Sequence, residues 1–368
     1  MIKPRMIKAG MLAVCITAVS ITLTSCGGKT SMFRVDASHS GMQSDSGPKS
    51  LDKLTWKFKA PDKTYASPIV GDKEVYLGCN DGNLYAVDKA TGLKKWKFKT
   101  GSNIESTVAI SGGIIYVGSW DNHLYAVSEE THAELWKFPT KGPVSSSPVI
   151  SDGIVYFGSE DGHVYAVDAE TGFEKWSFNA GASVYSSPAL FEDNLFFGTL
   201  KGKMYAVNIH SGQEFWVFSA NNKIHSSPAI SGGQAYFGSD DKHVYAVNIK
   251  TGQKTWSKKT AGQILSSPAV VGNSVYIGSK DGYLYSYNAG NGNRQWEFRT
   301  EGPIFSSPVV ASGVVYIGST DNFLYAVNIE NGKQMWKYRT ADKIFTSPTV
   351  SEGMVYFNSV NGSLYAVK

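Results

Sequence analysis

The sequence predicts an all-β fold, an eight-bladed β-propeller of four-stranded antiparallel blades closed by its own first strand. Three observations carry this. Trp recurs at 56, 96, 136, 176, 216, 256, 296 and 336, forty residues apart with no insertion. Tyr85, Tyr125, Tyr165, Tyr205, Tyr245, Tyr285, Tyr325 and Tyr365 keep the same period, and so do Ser-Pro pairs from Ser67-Pro68 to Ser347-Pro348. Helical periodicity is absent, and each repeat divides into four short apolar runs separated by turn residues.

Residues 147–178 show the unit. Ser147-Pro148-Val149-Ile150 is a short inner strand with Pro at its start, where a missing N–H matters least. Ser151-Asp152-Gly153 turns into a second strand, Ile154 to Ser159. Glu160-Asp161-Gly162 is a hairpin turn whose Gly supplies a positive φ. A third strand runs from His163 to Asp168, and Ala169-Glu170-Thr171-Gly172 leads into a fourth, Phe173 to Phe178. The second and third strands are apolar on both faces and must be covered on both sides. The fourth alternates, and in other repeats it carries Lys57, Lys97, Lys337 and Arg339, charges that guard an exposed sheet edge. Covered sheets with charged outer edges, repeated in a ring, describe a propeller. The ring can seal itself. Leu54 to Lys59 is a fourth-strand sequence ahead of any complete unit, and the last unit, Phe345 to Lys368, lacks its fourth strand.

The chain divides into a signal peptide (1–25), a lipidated flexible tether (26–50) and the propeller (51–368). Lys3, Arg5 and Lys8 precede an apolar run from Ala9 to Leu23, which is shorter than a membrane-spanning helix requires. Leu23-Thr24-Ser25-Cys26 resembles a bacterial lipobox, with Cys26 as the lipid attachment site. Ser31 to Ser50 is rich in Ser, Gly, Asp and Gln and lacks strand patterning, the composition of a flexible linker. Cleavage before Cys26 leaves 32 basic residues against 31 acidic ones, so no basic excess points to nucleic acid. Cys79 is the one Cys inside the propeller, which excludes an intradomain disulfide.

The run Ala86-x-Asp88-x-x-Thr91-Gly92-x-x-x-Trp96 recurs as Ala166…Trp176, Ala206…Trp216, Ala246…Trp256 and Ala326…Trp336. It resembles the tryptophan-docking motif of the PQQ-type propeller repeat family, and the resemblance covers residues 51–368. Blade two departs, with Thr107-Val108 in place of Ser-Pro and His132 in place of the turn Gly. Lipobox, tether and eight such blades together resemble the BamB-type lipoproteins. That resemblance implies a scaffold that works with the β-barrel assembly machinery at the periplasmic face of the outer membrane. Gly27 after Cys26 fits the same sorting.

The repeat family also includes quinoprotein dehydrogenases, which by resemblance would need insertions, calcium ligands and often adjacent Cys. The unbroken period offers none of these, so the expectation is a monomeric binding scaffold, not an enzyme, without cofactor or metal. The Asp-Gly and Asp-Asn pairs (Asp81, Asp161, Asp281, Asp321) read as hairpin turns and lack calcium-loop spacing. His123, His163 and His243 share one repeat position on different blades, too far apart to hold one metal ion.

Columns that vary between blades are the ones free for function. One lies just before the inner strand and contains Tyr65, Glu105, Tyr185, His225, Phe305 and Phe345. The other lies in the turn between the second and third strands and contains Trp120, Glu160, Leu200 and Asp240. Both belong to one face of a propeller, around the channel mouth. Aromatic residues beside polar ones suit a protein interface there. An extracytoplasmic sensor or adaptor binding a ligand at that mouth is the alternative, and a PQQ-dependent dehydrogenase is a third reading.

Overall fold

A computed structural model describes residues 30–368, and within them every regular element is a strand. Cys26 and the 1–25 segment lie outside the described residues. Eight antiparallel sheets follow one another in chain order. Blade three is typical: Val149–Ser151, Ile154–Gly158, His163–Asp168 and Glu174–Asn179, from the channel outward, with the first three strands in register and a register shift at Ala166/Val167 against the fourth. Its two central strands are buried along most of their length, as strands covered on both faces must be.

The ring closes as the sequence predicts. Leu54–Lys59 pairs with Ser363–Val367, with Trp56 opposite Ala366 and Lys57 opposite Tyr365. A second closure encircles the channel. Each Ser-Pro column residue donates its backbone N–H to the hydroxyl of the next blade's residue, from Ser67 to Thr107, Ser147, Ser187, Ser227, Ser267, Ser307 and Ser347, and from Ser347 back to Ser67. These eight bonds are 2.9–3.2 Å long and buried, so the column serves the ring. Thr107 keeps the hydroxyl, which is why blade two tolerates the loss of Ser-Pro.

The Trp column ties adjacent blades. Trp136, Trp176, Trp216, Trp256 and Trp296 each donate their indole N–H to a carbonyl of the next blade, those of Ala169, Ile209, Ile249, Ala289 and Ile329. Gly172, at φ +72°, lets the chain pass so close to Trp136 that a Cβ there would sit 2.7 Å from the indole ring. Blade two carries His132 at that place, also at positive φ, and its imidazole stacks on Trp96 at 4.5 Å. Trp96 is the exception in the column, because its buried indole nitrogen has no partner. Blade four departs at the outer edge, exposing Phe215 and also Val217, the latter at the position where four other blades carry Lys57, Lys97, Lys137 and Lys337.

The segment before the first strand differs from the flexible tether its composition suggested. Residues 31–43 run around the inside of the ring, and residues 45–48 leave it across blade eight's first turn. Ser31 exchanges backbone hydrogen bonds with Ile110. Ala37, Ser38, Ser40 and Gly41 accept the N–H groups of Leu190, Ile230, Val270 and Val310. Met42–Gln43 adds a fifth, parallel strand to the inner edge of blade seven, beside Val309–Ala311. Pro48 then offers its carbonyl to the Tyr316 hydroxyl and the Trp336 indole, the place that the next blade's turn fills elsewhere. The physical reason is that the inner strands present an unpaired row of backbone groups to the channel, and a polar chain of small residues can satisfy it.

Candidate functional site

The two mouths of the channel are built differently. At one, the loops entering the inner strands meet the turns between second and third strands, and all ten rim residues named from the sequence lie there. Eight of them form two sectors, and Trp120 and Leu200 stand apart. Phe305 and Phe345 have ring centroids 4.7 Å apart, and Tyr65 stands 6.1 Å from Phe345. The Lys280 ammonium lies 5.5 Å from the Phe305 ring, a cation–π distance. This is an aromatic sector on blades seven, eight and one.

The other sector is acidic. The Glu160 carboxylate accepts the Ser145 hydroxyl at 2.7 Å. His225 Nδ1 and an Asp240 carboxylate oxygen are 3.2 Å apart, and Tyr185 meets the His225 ring edge-on at 5.7 Å. Burial, then the charge of Glu160, pushes the Glu105 carboxyl up to about 7, with the Asn80 amide opposing. Burial and the charges of Glu105 and Glu160 likewise raise the Tyr185 phenol. The sector therefore stores negative charge that a cationic group would relieve.

The rim residues are not equally available. Trp120 is 38% exposed and Tyr185 37%, while Tyr65, Glu105, His225, Phe305 and Phe345 are half-buried against their neighbours. Leu200 is half-buried in the turn of blade four, its N–H bonded to Ser183. Sequence reasoning located the columns but missed the pairings within them.

The turn carboxylates below the rim are structural. Asp161 accepts the N–H of His163 and Lys141 and the hydroxyl of Tyr165. Asp121, Asp241, Asp281 and Asp321 repeat this pattern. Burial would raise the Asp161 carboxyl, and these hydrogen bonds outweigh it and hold it low.

The opposite mouth is filled by residues 31–46. Asp45 accepts the Ser351 hydroxyl and the Glu352 N–H, and Ser46 accepts the Gly353 N–H, all at the turn between inner and second strands. Arg34 and His39 are 4% and 1% exposed. The Arg34 guanidinium donates to the carbonyls of Pro308 and Pro268, and His39 Nδ1 donates to that of Pro228 at 3.1 Å. Burial, reinforced by the Arg34 charge, holds the His39 imidazole down at about 4, against Asp36 and the Pro228 bond. No sequence motif marked this plug. The one available signal was Arg34 and His39, two nitrogen-bearing side chains in a stretch without strand patterning.

Solved structures of similar fold include BamB from Moraxella catarrhalis (16% identity, TM-score 0.72, 86% of this chain and 99% of that one). The computationally designed protein Ika8 is 18% identical, with TM-score 0.76 over 86% of this chain and 99% of its own. A europium-containing methanol dehydrogenase is 13% identical, with TM-score 0.81 over 91% and 98%. At such identities the likeness is one of fold. No curated protein matches the sequence. The expectation that the chain is not an enzyme is corrected here. Quinohemoprotein alcohol dehydrogenases share the fold as well, and the matching family model bears an enzyme's description. With residues 12–231 and 192–368 matched, the chain belongs to the propeller family described as "Beta-alanine-activating enzyme, beta-propeller".

Proposed function

We propose that this propeller is a lipid-anchored scaffold of the cell envelope, held through Cys26 at the periplasmic face of the outer membrane. There it docks a protein of the β-barrel assembly machinery. The observation that carries the reading is the open rim. One face of the ring is occupied by the chain's own N-terminal segment, and the other presents an aromatic sector, an acidic sector and an exposed Trp120. Such a surface has the composition of an interface core beside a polar rim.

The test is a triple substitution, Trp120→Ala, Phe305→Ala and Phe345→Ala, read by recovery of β-barrel assembly components from envelope extracts. Loss of recovery by roughly thirtyfold or more, the scale of hot-spot removal, supports the reading. Unchanged recovery by a folded variant refutes the rim. Because dehydrogenases share the fold, a second arm adds PQQ with calcium and measures the melting temperature. A rise would mark a ligand of the native state and favour a redox role instead.

A further inference from the structure

The plug does not fill its mouth completely. Between it and the inner strands of blades seven, eight and one lies a cavity of about 210 Å³. A single water takes roughly 30 Å³ of liquid volume, so the space suits a molecule of several non-hydrogen atoms. Met32, Ile69 and Val309 give it an apolar wall.

Its polar wall is rich in donors. Arg34 lines it, and the buried Arg34 Nε–H has no partner. Ser67 and Ser347 line it too. Each accepts a backbone N–H in the hydroxyl ring, from Ser347 and Ser307 respectively, and neither hydroxyl hydrogen meets an acceptor among the described residues. The guanidinium is otherwise held by neutral carbonyls alone. Asp36, the acid whose charge acts on it, binds the hydroxyls of Ser38 and Ser40. A buried cation with no bonded counter-ion is costly, and an anion brought to it is correspondingly favoured. Burial lowers the Arg34 pKa to about 9, with Asp36 opposing, so the group still carries its charge at neutral pH. Asp45 lines the same cavity, which disfavours a second negative charge on the ligand.

We propose that this cavity binds a small aliphatic monocarboxylate, its acid group held by the Arg34 Nε–H and the Ser67 and Ser347 hydroxyls and its alkyl end against Met32, Ile69 and Val309. The site is independent of the rim and lies on the opposite face. It makes the plug a ligand-carrying element, since a bound carboxylate stabilises the docked segment over the released one.

Butyrate is the probe, titrated calorimetrically into the full chain at pH 7.5, with butylammonium and succinate alongside. The expected result is one saturable site for butyrate, weaker binding of succinate and none of butylammonium. Arg34→Gln should weaken butyrate about tenfold or more. Ser347→Ala, which keeps the guanidinium, should weaken it about fivefold. If Arg34→Gln fails to fold, Ser347→Ala alone decides. The proposal is overturned if butyrate gives no saturable heat, if the folded variants bind it as the parent does, or if butylammonium binds as well as butyrate.

Discussion

The open mouth and the closed mouth of this channel sit on one eightfold frame yet obey different rules. At the open mouth, each blade contributes one residue to each of two columns, so the surface is a sum of independent choices. At the closed mouth, a single unrepeated strand visits one blade after another and satisfies backbone groups that the repeat leaves unpaired. Repetition builds the wall, and only chain outside the repeat can break its symmetry enough to plug it.

The largest expected effect separates the mouths by acid. His39 is buried neutral, held near 4 against an ordinary 6.5. The released segment takes up a proton as pH falls below 6.5, and the docked one does so only near 4. The His39 contribution to docking is therefore complete above 6.5 and falls away between 6.5 and 4, by roughly tenfold per pH unit and about 3 kcal/mol in all. Protection factors of the amides in residues 31–46, each taken against the intrinsic exchange rate at that pH, should fall across that window while those of the blades stay high. His39→Gln should flatten the response, and an unaltered pH profile in that variant would remove His39 as its cause.

The next effect concerns the ring both mouths share. Ser227→Ala removes the acceptor of the buried Ser187 N–H. An orphaned buried donor costs about 1–3 kcal/mol, so a fall of that size in denaturant-measured stability is expected, with both mouths affected alike. A change below about 0.5 kcal/mol would mean the ring is ornamental.

How legible these features were follows the same division. Blade count, strand order and the closure by Leu54–Lys59 could be read because each rests on a feature repeated eight times. The Ser-Pro column was recognised as structural, yet its encircling hydrogen bonds need a partner forty residues away that only the ring brings near. The plug was invisible for a physical reason. Its strand has two residues, its partners are backbone groups, and Arg34 and His39 acquire meaning only from the carbonyls of Pro228, Pro268 and Pro308. On the open face, variation between blades located the rim, but not that Glu160 would take Ser145, or His225 Asp240.

A smaller effect tests the seam between blades one and two. Trp176→Phe loses a hydrogen bond to the Ile209 carbonyl, whereas Trp96→Phe has none to lose. The first should cost about 1 kcal/mol more than the second in equilibrium unfolding. Equal costs would mean that ring packing alone sets the strength of the Trp column, and that His132 stacking matches an ordinary docked indole.

The smallest effect returns to the open mouth and carries the opposite sign to His39. Burial and Glu160 raise the Glu105 carboxyl to about 7, above its ordinary 4.5. The folded protein thus binds the proton more tightly than the unfolded chain does. That contribution is complete below 4.5 and fades as pH rises through 7. Glu105 is partly solvated, so the melting temperature should drift down only slightly across this range, and Glu105→Gln should abolish the drift. A cationic peptide bound at the acidic sector should abolish it too, because a positive charge beside Glu105 and Glu160 pulls the carboxyl back toward its ordinary value. If the drift persists with such a peptide bound, the charge stored at this mouth lies out of a ligand's reach, and the aromatic sector alone would have to carry the docking.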